Sequence, residues 1–191
     1  MNDEARGPTR DRVLVLCTAN QCRSPLAGAL LAREVARRGL PVDVLSAGFG
    51  EAGMPATPPT VAVAGEHGLD LGGHRSRRVN QRLLAGADLV LGMERLHVRE
   101  AVVLEPAIWR RAFTLRELVR RAGAAEARAA GEPLRAWLGS LSAFRERADL
   151  MGASPVDDVA DPTTDLSVDH HVTADELDAL VGRLVSLAWP V

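Results

Sequence analysis

The chain has 191 residues, 47% of them hydrophobic, and a formal net charge of -2, which suits one well-packed core and leaves too little for two full domains. That charge excludes the strongly basic balance that draws nucleic acid or an anionic membrane, and two cysteines are too few for a disulfide scaffold or a four-cysteine zinc site. Every one of the 23 basic residues is arginine, so an anion site must use guanidinium forks or backbone amides.

Residues 1–11, "MNDEARGPTRD", are charged and lack the apolar core of a secretory signal; they read as a disordered tail. No later stretch has the ~18 uninterrupted apolar residues of a membrane span, so the expected location is the cytoplasm. "VLVLC" (13–17) is short, branched and wholly apolar, which suits a central parallel strand covered on both faces. A helix follows: Pro25 fits a first turn, Leu26, Leu30, Leu31 and Val35 with Ala27 and Ala36 recur at helical spacing, and Gly39 stops it. "VDVLSAG" (42–48) is a second strand, and residues 13–48 make a βαβ unit.

The alternation continues with a helix in "PPTVAVAGEHG" (58–68), a third strand in "ADLVLGM" (87–93) and a fourth in "RAFTL" (111–115). Residues 120–150 read as a helical excursion within a single domain spanning 1–191. A last helix runs from Ala174 to Trp189, with Thr173 as its cap and Glu176 completing a capping box. The expected fold is a three-layer, doubly wound α/β sandwich with a four-stranded parallel sheet and a strand-loop-helix phosphate-binding loop, its ligands lying outside the carboxyl ends of the strands.

Cys17 stands at such an end. A strand-to-helix loop offers successive backbone N–H groups and a helix N-terminus, a cradle for an oxyanion whose field also stabilises a thiolate. Arg23, where the loop re-enters the helix, has a planar fork that fits two phosphoryl oxygens. Cys-x5-Arg is therefore a unit for attack on phosphorus. With so many arginines the spacing alone is weak; its context carries the weight, because the motif follows a strand, contains Asn20, continues into Ser24-Pro25 and opens a helix.

"VLVLCTANQCRSPLAGALL" closely resembles the signature of the low-molecular-weight protein tyrosine phosphatases, typically C-x-G-N-x-C-R-S-P. "LSAGF" (45–49), "GHRSRRV" (73–79), "DLVLGMERLH" (88–97) and "DDVADP" (157–162) resemble further family segments in the same order. The resemblance implies a cysteine-dependent phosphatase acting on phosphotyrosine proteins or another aryl phosphate monoester, with Cys17 as nucleophile, Arg23 as phosphate clamp and Asp161 as general acid and then base. It implies a phosphate loop made of Thr18, Ala19, Asn20, Gln21, Cys22 and Ser24. Within it Ser24 bonds the thiolate, Asn20 holds a strained turn through Ser46 and His74, and Cys22 forms a reversible disulfide with Cys17. Phe49 and Thr163 are expected on the substrate rim. No cofactor and no metal are implied.

Departures from the pattern are specific. Ala19 stands where glycine is usual, at a cost of about a kcal/mol if that position needs φ > 0. Gly28 replaces a common Glu and Glu94 a common Asp. The chain has no tyrosine, so Thr163 and Thr164 follow the Asp-Pro where an aromatic ring is frequent. Three alternatives stay open: an arsenate reductase of the same fold, a phosphatase for small-molecule phosphates, and a non-catalytic phosphate-binding module. "DDVADPTTDLSVDHH" matches no metal-ligand spacing. His67 and His97 read as surface or satisfied side chains, and "RSRR" (75–78) as a solvated stretch that attracts acidic substrates. Composition does not set the oligomeric state.

Overall fold

The computed structural model describes residues 10–165 and 168–190. Four parallel strands, β1 (Asp11–Cys17), β2 (Val42–Gly48), β3 (Leu89–Gly92) and β4 (Ala112–Thr114), lie in the order β2-β1-β3-β4. Seven α-helices are described: α1 (Arg23–Arg37), α2 (Pro58–Glu66), α3 (Gln81–Gly86), α4 (Arg95–Leu104), α5 (Leu115–Gly123), α6 (Leu134–Leu141) and α7 (His170–Ala188).

The apolar run of β1 is buried from Val13 to Cys17 without a break, as a strand sandwiched between two helical layers must be. Alternation sends Val13, Val15 and Cys17 into one core with Leu26, Leu30 and Leu31 of α1 and Leu177, Val181 and Leu184 of α7. Leu14 and Leu16 enter the other core with Leu84 of α3 and Val98 and Ala101 of α4. Each fully buried leucine contributes about 1.5–3 kcal/mol. From β1 the chain turns to β2 on one side and later to β3 on the other, so the strand order reverses beside β1. Ligands of doubly wound sheets bind at that crevice. Among the described residues, no helix is long and apolar enough to cross a membrane.

Several boundaries differ from the sequence expectations. Residues 1–9 of the expected tail lie outside the described residues, while Asp11 belongs to β1, opposite Val42. The fourth strand ends at Thr114 because its hydroxyl accepts the Glu117 N–H at 3.0 Å and caps α5. Helix in the 120–150 stretch is confined to the end of α5, α6 and a 3-10 turn at Arg147–Leu150. The last helix starts earlier than expected: Asp169 caps α7 by accepting the His171 N–H at 2.8 Å. Thr173 instead sits buried in the first turn, its hydroxyl donating to the Asp169 carbonyl at 3.2 Å.

Candidate active site

The loop between β1 and α1 is built around one residue. Asn20 has φ 55 and, among the described residues, is the one non-glycine in the left-handed region, which asparagine tolerates better than most side chains. Its side chain is completely buried and completely used. Nδ2 donates to Ser24 Oγ and Ser46 Oγ, both at 2.9 Å, and Oδ1 accepts the Arg77 N–H at 2.8 Å. The Asn20 carbonyl lies 2.7 Å from His74 Nε2. Ala19 lies outside the left-handed region, so the cost expected for replacing glycine there does not arise; the unusual backbone falls on the next residue.

The end of β2 fits against this loop. Phe49 and Gly50 N–H groups donate to the Thr18 carbonyl at 2.8 and 2.9 Å. A Cβ on Gly48 would lie 2.7 Å from the Asn20 nitrogen and 2.8 Å from the Thr18 carbonyl oxygen. Only glycine permits that approach, which gives the Ser-Ala-Gly strand end its physical reason. Gln21 contributes its carbonyl to the Thr57 N–H ahead of α2.

Cys17 Sγ lies 3.0 Å from Ser24 Oγ. Arg23, 2% exposed, reaches across the strand ends. Its Nη1 donates to Glu94 Oε1 at 2.5 Å and to the Val159 carbonyl at 2.8 Å, and its Nη2 donates to Asp161 Oδ2 at 2.5 Å. A buried guanidinium must be paired, and these pairs bring the two distant segments of the predicted site together. Asp161 Oδ1 accepts from the Thr163 N–H at 3.0 Å and the Thr163 hydroxyl at 2.7 Å. The hydroxyl of Thr163 is therefore committed to the carboxylate.

Ion pairs anchor the Asp161 segment from behind. Asp157 takes Arg95 at 2.7 Å and Arg120 at 2.9 Å. Burial opposes its ionisation, but the hydrogen bonds from Arg95 and Arg120 outweigh it and hold the carboxyl below the ordinary range. The Val159 N–H donates to the Met93 carbonyl at 2.8 Å, just beyond the end of β3. Cys22 is buried behind the loop, and burial pushes its thiol up to about 11 against a hydrogen bond from Thr60.

His97 belongs to this site as well, although its sequence context read as a surface or satisfied histidine. It is satisfied, and by the site itself. The Glu94 N–H donates to His97 Nδ1 at 3.0 Å, so the ring proton sits on Nε2, which lies 3.0 Å from the Thr18 hydroxyl. Burial, then the Arg23 charge, lowers its pKa to about 4. The Phe49 ring stacks on it, centroids 6.1 Å apart and planes 11° apart. The Glu94-x-x-His97 pair forms a reciprocal cap on α4, a variant of the capping box that a search for Ser or Thr at the cap does not find. His171, by contrast, lies on the surface with Asp169 and Glu66.

The structure thus brings together a buried cysteine at a strand end, a hydrogen-bonded strand-loop-helix turn, an arginine at its exit and an aspartate from a later loop. A family model described as low molecular weight phosphotyrosine protein phosphatase matches residues 12–154. The chain belongs to that family and is a phosphatase of the low-molecular-weight protein-tyrosine-phosphatase class. It is 41% identical over 108 residues to the probable low molecular weight protein-tyrosine-phosphatase EpsP of Ralstonia nicotianae, covering 56% of this chain and 71% of that protein. It is 39% identical over 97 residues to Wzb of Escherichia coli, a protein of the same description, covering 50% of this chain and 63% of that one. The solved low molecular weight protein tyrosine phosphatase from T. tengcongensis superposes with a TM-score of 0.68 at 30% identity, over 92% of this chain and 98% of that one. The YwlE arginine phosphatase from Geobacillus stearothermophilus superposes with a TM-score of 0.65 at 29% identity, over 92% and 91%.

Proposed function

We propose that this phosphatase hydrolyses phosphotyrosine in proteins, or another aryl phosphate monoester, through a phosphocysteine intermediate. The observation that carries the reading is the convergence on Arg23: the guanidinium at the exit of the Cys17 loop holds the Asp161 carboxylate at 2.5 Å. Clamp and acid are thus already within reach of one another beside the nucleophile. In the first step the Cys17 thiolate attacks phosphorus, an S–P bond forms, the P–O bond to the leaving group breaks, and Asp161 gives its proton to the leaving oxygen. Ser24 Oγ, 3.0 Å from Sγ, stabilises the thiolate. Arg23 and the loop N–H groups hold the non-bridging oxygens. Water then attacks phosphorus, Asp161 takes its proton, and phosphate leaves as the thiolate re-forms.

Substrate binding has one structural requirement. The phosphoryl oxygens must take over the guanidinium that Asp161 and Glu94 now occupy, which frees the Asp161 carboxyl for the leaving group. Cys22 is read as the partner of a reversible disulfide protecting an oxidised Cys17, and the site of action as cytoplasmic. The test of the core reading is p-nitrophenyl phosphate hydrolysis with vanadate as inhibitor. Wild type should turn over, and Cys17→Ser should lose roughly 10⁴-fold or more while keeping its thermal unfolding midpoint. Near wild-type turnover by Cys17→Ser overturns the mechanism.

A second reading, protein phosphoarginine as substrate, is supported by the likeness at 29% identity to a solved protein described as an arginine phosphatase. It is also supported by Thr163 and Thr164 in place of a rim ring. Relative kcat/KM on one peptide carrying phosphotyrosine or phosphoarginine at the same position separates the two.

A further inference from the structure

Phe49 does more than cover His97. It forms one end of a groove of about 530 Å³ that runs away from the Cys17 loop between residues 78–79 and α4, with Arg78, Leu96, Arg99, Val103 and Leu104 along it. Three of the nine large hydrophobic side chains exposed on the described surface, Leu96, Val103 and Leu104, line this one groove, and Val103 is 77% exposed. On α4, Leu96 and Val103 stand two turns apart and Leu104 beside them, an apolar stripe facing outward on a helix whose other side already fills a core. Contiguous exposed apolar surface next to a catalytic cleft marks a place where something binds.

The charges at the groove say what kind of ligand fits. Arg78 is exposed and its guanidinium has no partner among the described residues. Arg99 donates one nitrogen to the Leu150 carbonyl, and Glu100 supplies the one carboxylate in the lining. Arg75 and Arg77, both exposed, extend the positive surface next to Arg78. Among the described residues most other arginines are ion-paired, whereas Arg75, Arg77, Arg78 and Arg99 have no carboxylate partner; Arg75 and Arg99 each donate to a backbone carbonyl instead. An apolar trough whose arginines outnumber its one carboxylate complements a peptide carrying a large apolar side chain and carboxylates.

We infer that the groove from Phe49 along α4 docks the polypeptide flanking the phosphorylated residue of a protein substrate, selecting apolar and acidic side chains there. The inference rests on the phosphatase reading above and deepens it: a small aryl phosphate fills only the Cys17 loop, whereas a phosphoprotein also fills the groove. Docking energy that is the same in the ground and transition states lowers KM for the longer substrate without changing kcat, and a substrate too short to reach the groove does not feel it.

The experiment compares three substrates: p-nitrophenyl phosphate, a phosphotyrosyl peptide flanked by Leu and Glu, and the same peptide flanked by Ser and Lys. Wild type should prefer the Leu/Glu peptide over the Ser/Lys peptide by at least about tenfold in kcat/KM. Val103→Glu and Arg78→Glu, both at exposed positions outside the catalytic machinery, should each erase most of that preference through KM while p-nitrophenyl phosphate turnover stays at the wild-type value. Equal kcat/KM for the two peptides in wild type overturns the proposal, as does an equal loss on all three substrates in the variants. A wild-type dimer that Val103→Glu dissociates would give the face to a second copy and overturn it too. Failure of wild type on p-nitrophenyl phosphate would count against the phosphatase reading. The groove would then be judged by fluorescence anisotropy of the labelled peptides, where equal affinity of wild type for both overturns it.

Discussion

The two loops that meet at Arg23 are held in different ways. The Cys17 loop is fixed by neutral hydrogen bonds: four contacts of Asn20 with Ser24, Ser46, Arg77 and His74, and the Thr18 carbonyl taking two N–H groups from the end of β2. None of these has to break for a phosphate to enter. The Asp161 loop is held by charge, through Arg95 and Arg120 on Asp157 and Arg23 on Asp161. In the proposed mechanism the pairs on Asp157 persist through turnover, while the Arg23–Asp161 pair opens when phosphate arrives. Under the proposed mechanism the contrast is one between a prebuilt cradle and a movable acid: a satisfied hydrogen-bond network gives rigidity, and an ion pair beside an anion site can exchange.

The sharpest way to break that contrast is to remove the movable charge. Asp161→Asn should lower kcat on a phosphotyrosine-like ester by about 10²–10⁴-fold and on an ester with a good leaving group much less, because a general acid matters most when the leaving oxygen is poor. The cradle, which does not depend on Asp161, should still bind vanadate. If Asp158→Asn or Asp165→Asn showed the leaving-group dependence instead, the carboxylate paired with Arg23 would not be the acid.

The rigid side can be probed by pH. His97 links the two, since its Nε2 meets Thr18 and its Nδ1 takes the N–H of Glu94, which holds Arg23. Its pKa falls to about 4 in the folded protein from 6.5. The depressed value means that the folded state resists a proton the unfolded chain accepts. The stability tied to neutral His97 is therefore complete above pH 6.5 and is lost as pH falls towards 4, by about 3 kcal/mol in total. Protonation at Nδ1 also leaves the Glu94 N–H without its acceptor. Urea unfolding at pH 7 and pH 4.5 should show a larger acid-side loss for wild type than for His97→Gln. Parallel losses in the two proteins would remove His97 from the framework.

What the sequence made legible follows the same divide. Cys17, Arg23, Asn20 and Ser24 lie within one strand-loop-helix turn, and local patterning placed β1, β2, α1 and the loop close to where they are. Asp161 was reachable through the resemblance of "DDVADP" (157–162) to a family segment. The parts that were not legible depend on contacts far apart in sequence. Nothing in the spacing joins Glu94 and His97 to Thr18 and Arg23; α4 buries them there only once β3 lies next to β1. The helices α3 and α4 carry mixed apolar patterns, because one is short and the other bears an outward stripe as well as an inward one, so a single amphipathic period does not describe them. The start of α7 was misplaced because Thr173 has the chemistry of a cap and uses it on a carbonyl one turn back.

The smallest effect tests how finely the movable acid is aimed. Thr163 read from sequence as a rim residue, yet its hydroxyl donates to Asp161 Oδ1 at 2.7 Å, alongside its own backbone N–H at 3.0 Å. If Arg23 turns to the phosphate as proposed, those two bonds are what still orient the carboxyl group. Thr163→Val keeps the shape and the N–H bond and removes only the hydroxyl, a loss of about 1 kcal/mol of orientation, or roughly fivefold in rate. The loss should fall on kcat for a phosphotyrosine-like ester, be smaller for an activated aryl ester, and leave vanadate inhibition alone, while Thr163→Ser restores the wild-type value. A change in KM on both esters with kcat preserved would return Thr163 to the rim. Equal rates for valine and threonine would mean that the backbone N–H alone holds the acid in line once the guanidinium has let go.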